Sequence, residues 1–348
     1  MKIRLPLLAS SFVLALSLTA SAAEKELRVS FCTPNTDFSF AAPLAAAQEF
    51  GWFKEKNIAV RLIPIAGSTD CVLNVSSGQL DAALAAPEAV TVFASKGGQV
   101  SYYYTAFNRN MFGIAVADKS PIQSYADLKG KRIGVTSMSS VGVVIARSVI
   151  KTAGLDPDKD ISIVVSGSPL QSKLLLENGE VDALSQWDMI YENISQAGLP
   201  MRKLADENIQ NFPSNGFVAL KEKIASNGDD LAALARGYAM GSLYVRAHPE
   251  EAAKLAIKYY PQVAGTGKSE EEVLTGAKAI FNAASRLWEL PQGQTKVGFN
   301  RAEQYDGYSK WLTTRGVIAQ PVPGEQIITN ELIDKINDFD AAVAANPK

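Results

Sequence analysis

Short apolar stretches alternate with small polar turns and apolar helices along the first two thirds of this chain. Leu27-Arg-Val-Ser-Phe31 reads as a strand, and Cys32 to Phe40 as the loop behind it. Pro43 to Phe50 then reads as an Ala-rich helix that stops at Gly51. Ala59 to Ile65 is a second strand; Gly67-Ser-Thr-Asp70 is a small polar turn that opens a helix over Cys71 to Ser77. Gly78 caps that helix, and Leu80 to Leu84 is a brief third strand. Alternation of this kind predicts a parallel sheet with crossover helices.

The pattern then recurs. Lys131 to Val135 is a strand, Thr136 to Ser140 a run of small hydroxyl residues, and Val141 to Ile150 an apolar helix. Ile161 to Val165, Ser166 to Pro169 and Leu170 to Glu177 repeat strand, turn and helix, with a short strand at Val181 to Leu184. Ser77-Gly-Gln-Leu-Asp-Ala82 and Asn178-Gly-Glu-Val-Asp-Ala183 match in form, about 100 residues apart. Two such units predict two lobes facing a cleft. Val100 to Ala106 and Gly113 to Ala117 flank a crossing at Phe107 to Asn110; Met201 to Leu204 and Phe212 to Leu220 look like the return. Two crossings make a hinge. The expected division is lobe 1 over residues 24–108 and 210–348, and lobe 2 over 109–209. Beyond Lys221 the pattern is helical: Asp230 to Arg246, Pro249 to Tyr260, Ser269 to Leu287, Asn300 to Gly316, and a last amphipathic helix over Glu331 to Ala345.

The first residues add an address. Lys2 and Arg4 precede a largely apolar Leu5 to Leu18, and Ala20-Ser21-Ala22 is a small-x-small cleavage site. Residues 1–23 therefore read as a secretory signal peptide, which implies export to the periplasm. Charge is nearly balanced, 34 basic against 36 acidic residues, without a basic stripe, so nucleic acid is not an expected partner. One histidine, His248, and two cysteines leave little for a His- or Cys-based metal site or for His catalysis. His248 precedes Pro249-Glu-Glu251, a helix start. Cys32 follows the first strand and Cys71 opens the helix after the second, so adjacent parallel strands put them within reach of a bridge; spacing alone leaves bridged and free thiols both open.

Four segments carry a family resemblance: Gln48-Glu-Phe-Gly-Trp-Phe-Lys-Glu-Lys-Asn-Ile58; Ser77-Gly-Gln-Leu-Asp81; Ser120 to Val135; and Gly179-Glu-Val-Asp-Ala183 with Trp187-Asp188. In this order they resemble the periplasmic binding proteins of ABC importers that handle nitrate, sulfonates, taurine and thiamine precursors. The resemblance implies an α/β, two-lobed periplasmic binding protein fold of type II, with parallel-type sheets flanked by helices and a two-crossing hinge. It also implies one small-molecule ligand in the cleft, delivery to an ABC permease of the inner membrane, a monomer, no cofactor and no catalytic residue.

Ligand contacts are expected at the carboxyl ends of the strands. The candidates there are Asp37, Phe38, Ser68, Thr69, Asp70, Pro87, Glu88, Asn108, Ser137, Ser139, Ser140, Val141, Trp187 and Asp188. The serine turn before Val141 offers N–H groups and a helix dipole to a negative or acceptor group, or simply caps the helix. Trp187 and Phe38 either stack on the ligand or pack in the core; Asp188 either contacts it or caps a helix. Asp37, Asp70, Glu88 and Asp188 face only Arg109 and Lys173 as balancing charge, which disfavours nitrate and bicarbonate. An amino sulfonate such as taurine is the leading expectation, with an aminopyrimidine or aromatic carboxylate as the alternative. The rival classes are a sensor of the same fold and a thiamine-pyrimidine synthase. The synthase branch of the resembling family needs an active-site histidine and a Cys-rich segment, and His248 stands far from the candidate loops.

Overall fold

The computed structural model describes residues 24–205 and 209–348; the signal-peptide reading falls on residues 1–23, outside the described residues. Ten strands form two sheets. The first sheet holds β1 (Lys25–Ser30), β2 (Ile58–Leu62), β3 (Ala82–Ala85), β4 (Val100–Thr105) and β10 (Gly216–Leu220), in the order β2-β1-β3-β10-β4. The second holds β5 (Phe112–Ala117), β6 (Lys131–Val135), β7 (Ile161–Val165), β8 (Ala183–Trp187) and β9 (Met201–Lys203), in the order β7-β6-β8-β5-β9. The two orders are the same list of places. In each sheet the first three strands are parallel, as the alternation predicts. The fourth place is filled by the strand that has just crossed from the other lobe, β10 or β5, and it runs antiparallel to both neighbours. The sheets are therefore mixed, not purely parallel, because a chain arriving across the cleft enters each sheet from its far end.

The helices are α1 (Phe38–Glu49), α2 (Ser68–Ser76), α3 (Pro87–Ala94), α4 (Val141–Thr152), α5 (Pro169–Glu177) and α6 (Asp188–Gln196). They continue with α7 (Lys221–Ser226), α8 (Gly228–Ala247), α9 (Pro249–Tyr259), α10 (Glu270–Trp288), α11 (Ala302–Thr314), α12 (Ile333–Ile336) and α13 (Ala341–Ala345). α1 starts five residues before the expected Pro43, because the Asp37 carboxylate accepts from the Ser39 and Phe40 N–H groups at 2.8 and 3.3 Å and caps the helix there. α3 was not expected, and a helix start at Asp188 was one of two readings, which α6 bears out; each is a short helix entered from a strand. The single last helix expected over Glu331 to Ala345 is two. The Asn337 amide turns inward to the Val297 and Ile333 carbonyls, and Asp340 caps a fresh start at α13.

The internal repeat has a physical content. In the first sheet Arg28 of β1 holds Asp81 through its backbone N–H at 2.7 Å and its Nε at 3.0 Å, and donates to the Gly78 carbonyl. In the second sheet Arg132 of β6 holds Asp182 at 2.8 and 3.3 Å and donates to the Gly179 carbonyl. The recurring Gly-x-x-Asp motif is thus the socket that ties each helix–strand turn back to the central strand.

Candidate functional site

The chain passes from β4 to β5 and back from β9 to β10, and the two connections touch: the Asn215 carbonyl accepts from the N–H groups of Ala106 and Phe107, both at 3.1 Å. In front of them the carboxyl ends of the strands of both lobes meet around a small inner cavity of about 30 Å³, partly open to solvent. Its walls are rings: Phe31 and Phe40 from lobe 1, Phe112 and Trp187 from lobe 2. Phe31 and Phe40 stack at 5.2 Å, and Phe112 meets Trp187 edge-on at 6.3 Å. Polar atoms come from Thr33, Ser68, Thr136, Ser140 and Asn215. Two helices, α2 at Ser68 and α4 at Val141, begin at the cavity. No Lys or Arg lines it among the described residues.

A larger groove of about 320 Å³, open to solvent, adjoins the cavity, and Thr33 and Thr136 line both. Asp37 and Phe38 lie in the groove. Burial raises the Asp37 carboxyl above its ordinary value, against the hydrogen bonds of its helix cap. The Trp187 indole N–H approaches Asp37 closely enough to pull that value down slightly, yet it is buried and reaches hydrogen-bond geometry with no partner.

The lobes touch where α6 packs on α10, where Lys151 donates to the Arg315 carbonyl at 2.5 Å, and at a serine turn. Ser137 and Ser139 both donate their hydroxyls to the Ala66 carbonyl, at 2.6 and 2.5 Å, and the Thr69 N–H reaches the Ser139 carbonyl at 3.4 Å. Gly67 makes this approach possible. Its φ is +123°, and a Cβ there would sit 2.5 Å from the Ser139 oxygen. The same loop is tied to the cavity wall: Cys32 and Cys71 form a disulfide with Cα atoms 5.7 Å apart, and the Gly67 N–H donates to the Cys32 carbonyl at 3.0 Å.

The expected contacts divide accordingly. Ser68, Ser140, Val141 and Trp187 line the inner cavity. Ser140 stands at the N-cap place of α4 but does not cap it with its side chain, which donates to the Ser137 carbonyl at 2.7 Å. Ser137 and Ser139 serve the lobe contact rather than facing a solute. Thr69 and Asp70 are exposed and line neither space. Pro87 is the first residue of α3, and Glu88 is buried in lobe 1 with the Tyr308 hydroxyl on its carboxylate. Burial pushes Glu88 up to about 7. Asn108 lines a separate cavity with Trp288 and Arg246. Asp188 pairs with Lys203 at 2.7 Å. Arg109 is exposed against Glu289, and Lys173 pairs with Glu177 on its own helix. His248 bonds the Asn346 side chain at 3.0 Å.

Sequence reasoning missed Phe31, Phe40, Met111, Phe112, Thr33, Thr136 and Asn215. The available signal was position: all but Phe40, which sits in the first turn of α1, lie within a few residues of a strand's carboxyl end or of a crossing.

A Haemophilus influenzae protein named for thiamine biosynthesis is 25% identical over 266 residues, covering 74% of this chain and 81% of the relative. The 4-amino-5-hydroxymethyl-2-methylpyrimidine phosphate synthase of Schizosaccharomyces pombe is 22% identical, over 67% of this chain and 69% of its own. The alkanesulfonate-binding protein SsuA from Xanthomonas axonopodis pv. citri, solved bound to MOPS, superposes with a TM-score of 0.66 at 16% identity, over 89% of this chain and 99% of that one. That likeness establishes the shared two-lobed periplasmic binding protein fold. The profile of one family spans residues 39–252, from the cap of α1 through both crossings and into the C-terminal helices, and on that match this chain belongs to the NMT1/THI5-like family.

Proposed function

We propose that this chain is the extracytoplasmic solute-binding component of an ABC importer, and that its solute is a small flat nitrogen heterocycle of the aminopyrimidine class. Residues 24–108 with 210–348, and residues 109–209, act as two bodies that close about the paired connections at Asn215. The observation that carries the solute class is the lining of the inner cavity, which a flat ring enters as the lobes part: four aromatic rings from both lobes, hydroxyls and an amide between them, and no cation among the described lining residues. A ring presents a flat apolar face to Trp187 and Phe112, and its nitrogens accept from the free N–H groups where α2 and α4 begin.

A sulfonate is the second reading, and those same two helix starts favour it. Each helix terminus contributes at most about 2 kcal/mol toward an anion. Removing an unpaired anion from water costs several kcal/mol. Among the described residues the inner cavity offers the anion no cation, and in the adjoining groove Asp37 stands against Lys268, so the anion is the weaker candidate. Binding rather than chemistry is favoured because the single histidine is engaged with Asn346 and both cysteines with each other.

The test is a thermal-shift and fluorescence titration with 4-amino-5-hydroxymethyl-2-methylpyrimidine and with taurine. The pyrimidine at 100 times its Kd stabilises by about 2.7 kcal/mol, shifts the tryptophan emission, and loses both effects in Trp187→Ala. Stabilisation by taurine alone would return the site to the sulfonates.

A further inference from the structure

One lobe carries a covalent tie that its repeat lacks. Register sets Arg28 of β1 beside Arg61 of β2, and Arg132 of β6 beside Ser162 of β7. Counted forward from these pairs, Cys32 corresponds to Thr136 and Cys71 to Ser172. In lobe 2 hydroxyls take the place of the bridge: Ser172 donates to the Ser166 hydroxyl at 3.0 Å, and Ser166 to the Val135 carbonyl at 3.3 Å. Each tie joins the start of a helix to the end of a strand, so stability alone asks the same of both. What differs is the neighbour. The lobe 1 turn at Ala66 and Gly67 meets the serine turn of the other lobe. Its counterpart over residues 166–169 makes no hydrogen bond to lobe 1 among the described residues.

The bridge reaches that contact through a short chain of bonds. Cys32 has a φ of +60°, a left-handed conformation that a residue with a Cβ keeps only when its surroundings hold it. Its N–H is held by the Ser30 hydroxyl at 3.1 Å, and its side chain by Cys71, fully buried one turn into α2. So aimed, its carbonyl accepts from the Gly67 N–H at 3.0 Å, and the Gly67 carbonyl accepts from the Cys71 N–H at 3.1 Å. The residue before Gly67 is Ala66, whose carbonyl takes both serine hydroxyls. We propose that the Cys32–Cys71 bridge positions the lobe contact: it holds Cys32 left-handed, Cys32 holds Gly67, and Gly67 presents the Ala66 carbonyl to Ser137 and Ser139. Cys32, Gly67 and Ser68 also line the inner cavity, so the same tie shapes its lobe 1 wall.

The experiment is amide hydrogen exchange read by mass spectrometry on the solute-free chain, so its outcome is independent of the solute reading. The wild type is compared with wild type reduced by tris(2-carboxyethyl)phosphine and with Cys32→Ser combined with Cys71→Ser. Thiol titration verifies the open bridge, and circular dichroism the fold. Both opened forms exchange severalfold faster over residues 66–70 and, across the cleft, over residues 137–141. A bridge that only stabilises lobe 1 speeds residues 66–70 and leaves 137–141 as in the wild type; that result overturns the proposal, and so does unchanged exchange in both segments. Loss of the fold in both opened forms makes the bridge a structural staple, which overturns it too. Ser137→Ala with Ser139→Ala in the bridged chain sets the scale. Opening the bridge in that variant adds nothing over residues 137–141, whereas an additive rise shows that the bridge acts by another route.

Discussion

The two lobes carry the same Arg–Asp socket and treat it differently. In lobe 2, Asp182 keeps 24% of its side-chain surface exposed, and Arg132 is its ion-pair partner. In lobe 1, Asp81 keeps 9% and takes a second cation, Lys223, from α7. Burial works against its charge, but the Arg28 and Lys223 hydrogen bonds outweigh it and lower Asp81 from 3.8 to about 2. The positions just beyond diverge too. At the same offset in the repeat, Glu88 of α3 corresponds to Met189 of α6, and both are fully buried. Lobe 1 thus carries a charged pair and a titratable acid where lobe 2 has a solvated pair and a thioether. The difference follows from what the C-terminal helices bring to lobe 1: α7 sets Lys223 on Asp81, and α11 sets Tyr308 on Glu88.

The sharpest way to break this comparison is to delete each aspartate. Asp81→Ala strands Arg28 and Lys223 beside buried backbone and costs about 3 kcal/mol. Asp182→Ala in the solvated socket costs about 1 kcal/mol. Equal losses in urea denaturation would mean the extra cover contributes nothing.

Next in size is the contact between the lobes. Ser137→Ala with Ser139→Ala removes about 1 kcal/mol per hydroxyl from the closed form. The solute-free radius of gyration by X-ray scattering should rise while thermal stability of each lobe is kept. An unchanged radius would show that the Ala66 contact does not hold the lobes together.

The smallest effects are in pH dependence, and they have opposite signs. Asp81 is depressed in the folded state, so its contribution is present above pH 4 and is lost as pH falls toward 2; Asp81→Asn flattens that limb. Glu88 is raised to about 7, so the folded state holds its proton while the unfolded chain releases it near 4.5. Stability therefore falls as pH rises from about 4.5 to about 7, and Glu88→Gln removes the fall. Chemical denaturation across pH 2 to 8 measures both. Because lobe 2 has Met189 at that place, Met189→Leu changes neither limb.

Much of this architecture was legible from local pattern. The strand over Lys131–Val135 and the strand over Ile161–Val165 appear with the expected bounds, because their apolar runs are bracketed by Gly, Pro and small polar residues. The repeated Gly-x-x-Asp pointed to two related units, and the sockets at Asp81 and Asp182 give the motif its reason. Less was legible where an outcome depended on a distant partner. Glu88 looked like a cleft acid, yet its neighbour is Tyr308, 220 residues away. Ser137 and Ser139 looked like solute ligands, yet their acceptor is a carbonyl of the other lobe. The antiparallel fourth strand of each sheet could not be read from alternation, since it enters only after a crossing.

Taken by itself, the sequence determined the things that short-range physics decides: where strands and helices form, that the unit is doubled, and which loops stand at the carboxyl ends of strands. Periodicity, capping and turn chemistry act within a few residues and are written in the order of the chain. The tertiary structure alone decided which of those loops line the inner cavity, which hydroxyls join the lobes, and that the cavity is walled by rings without a cation among the described residues. Those outcomes depend on what burial removes from water and on which partner remains within about 3 Å to replace it, and residues far apart in sequence settle that only when the fold brings them together.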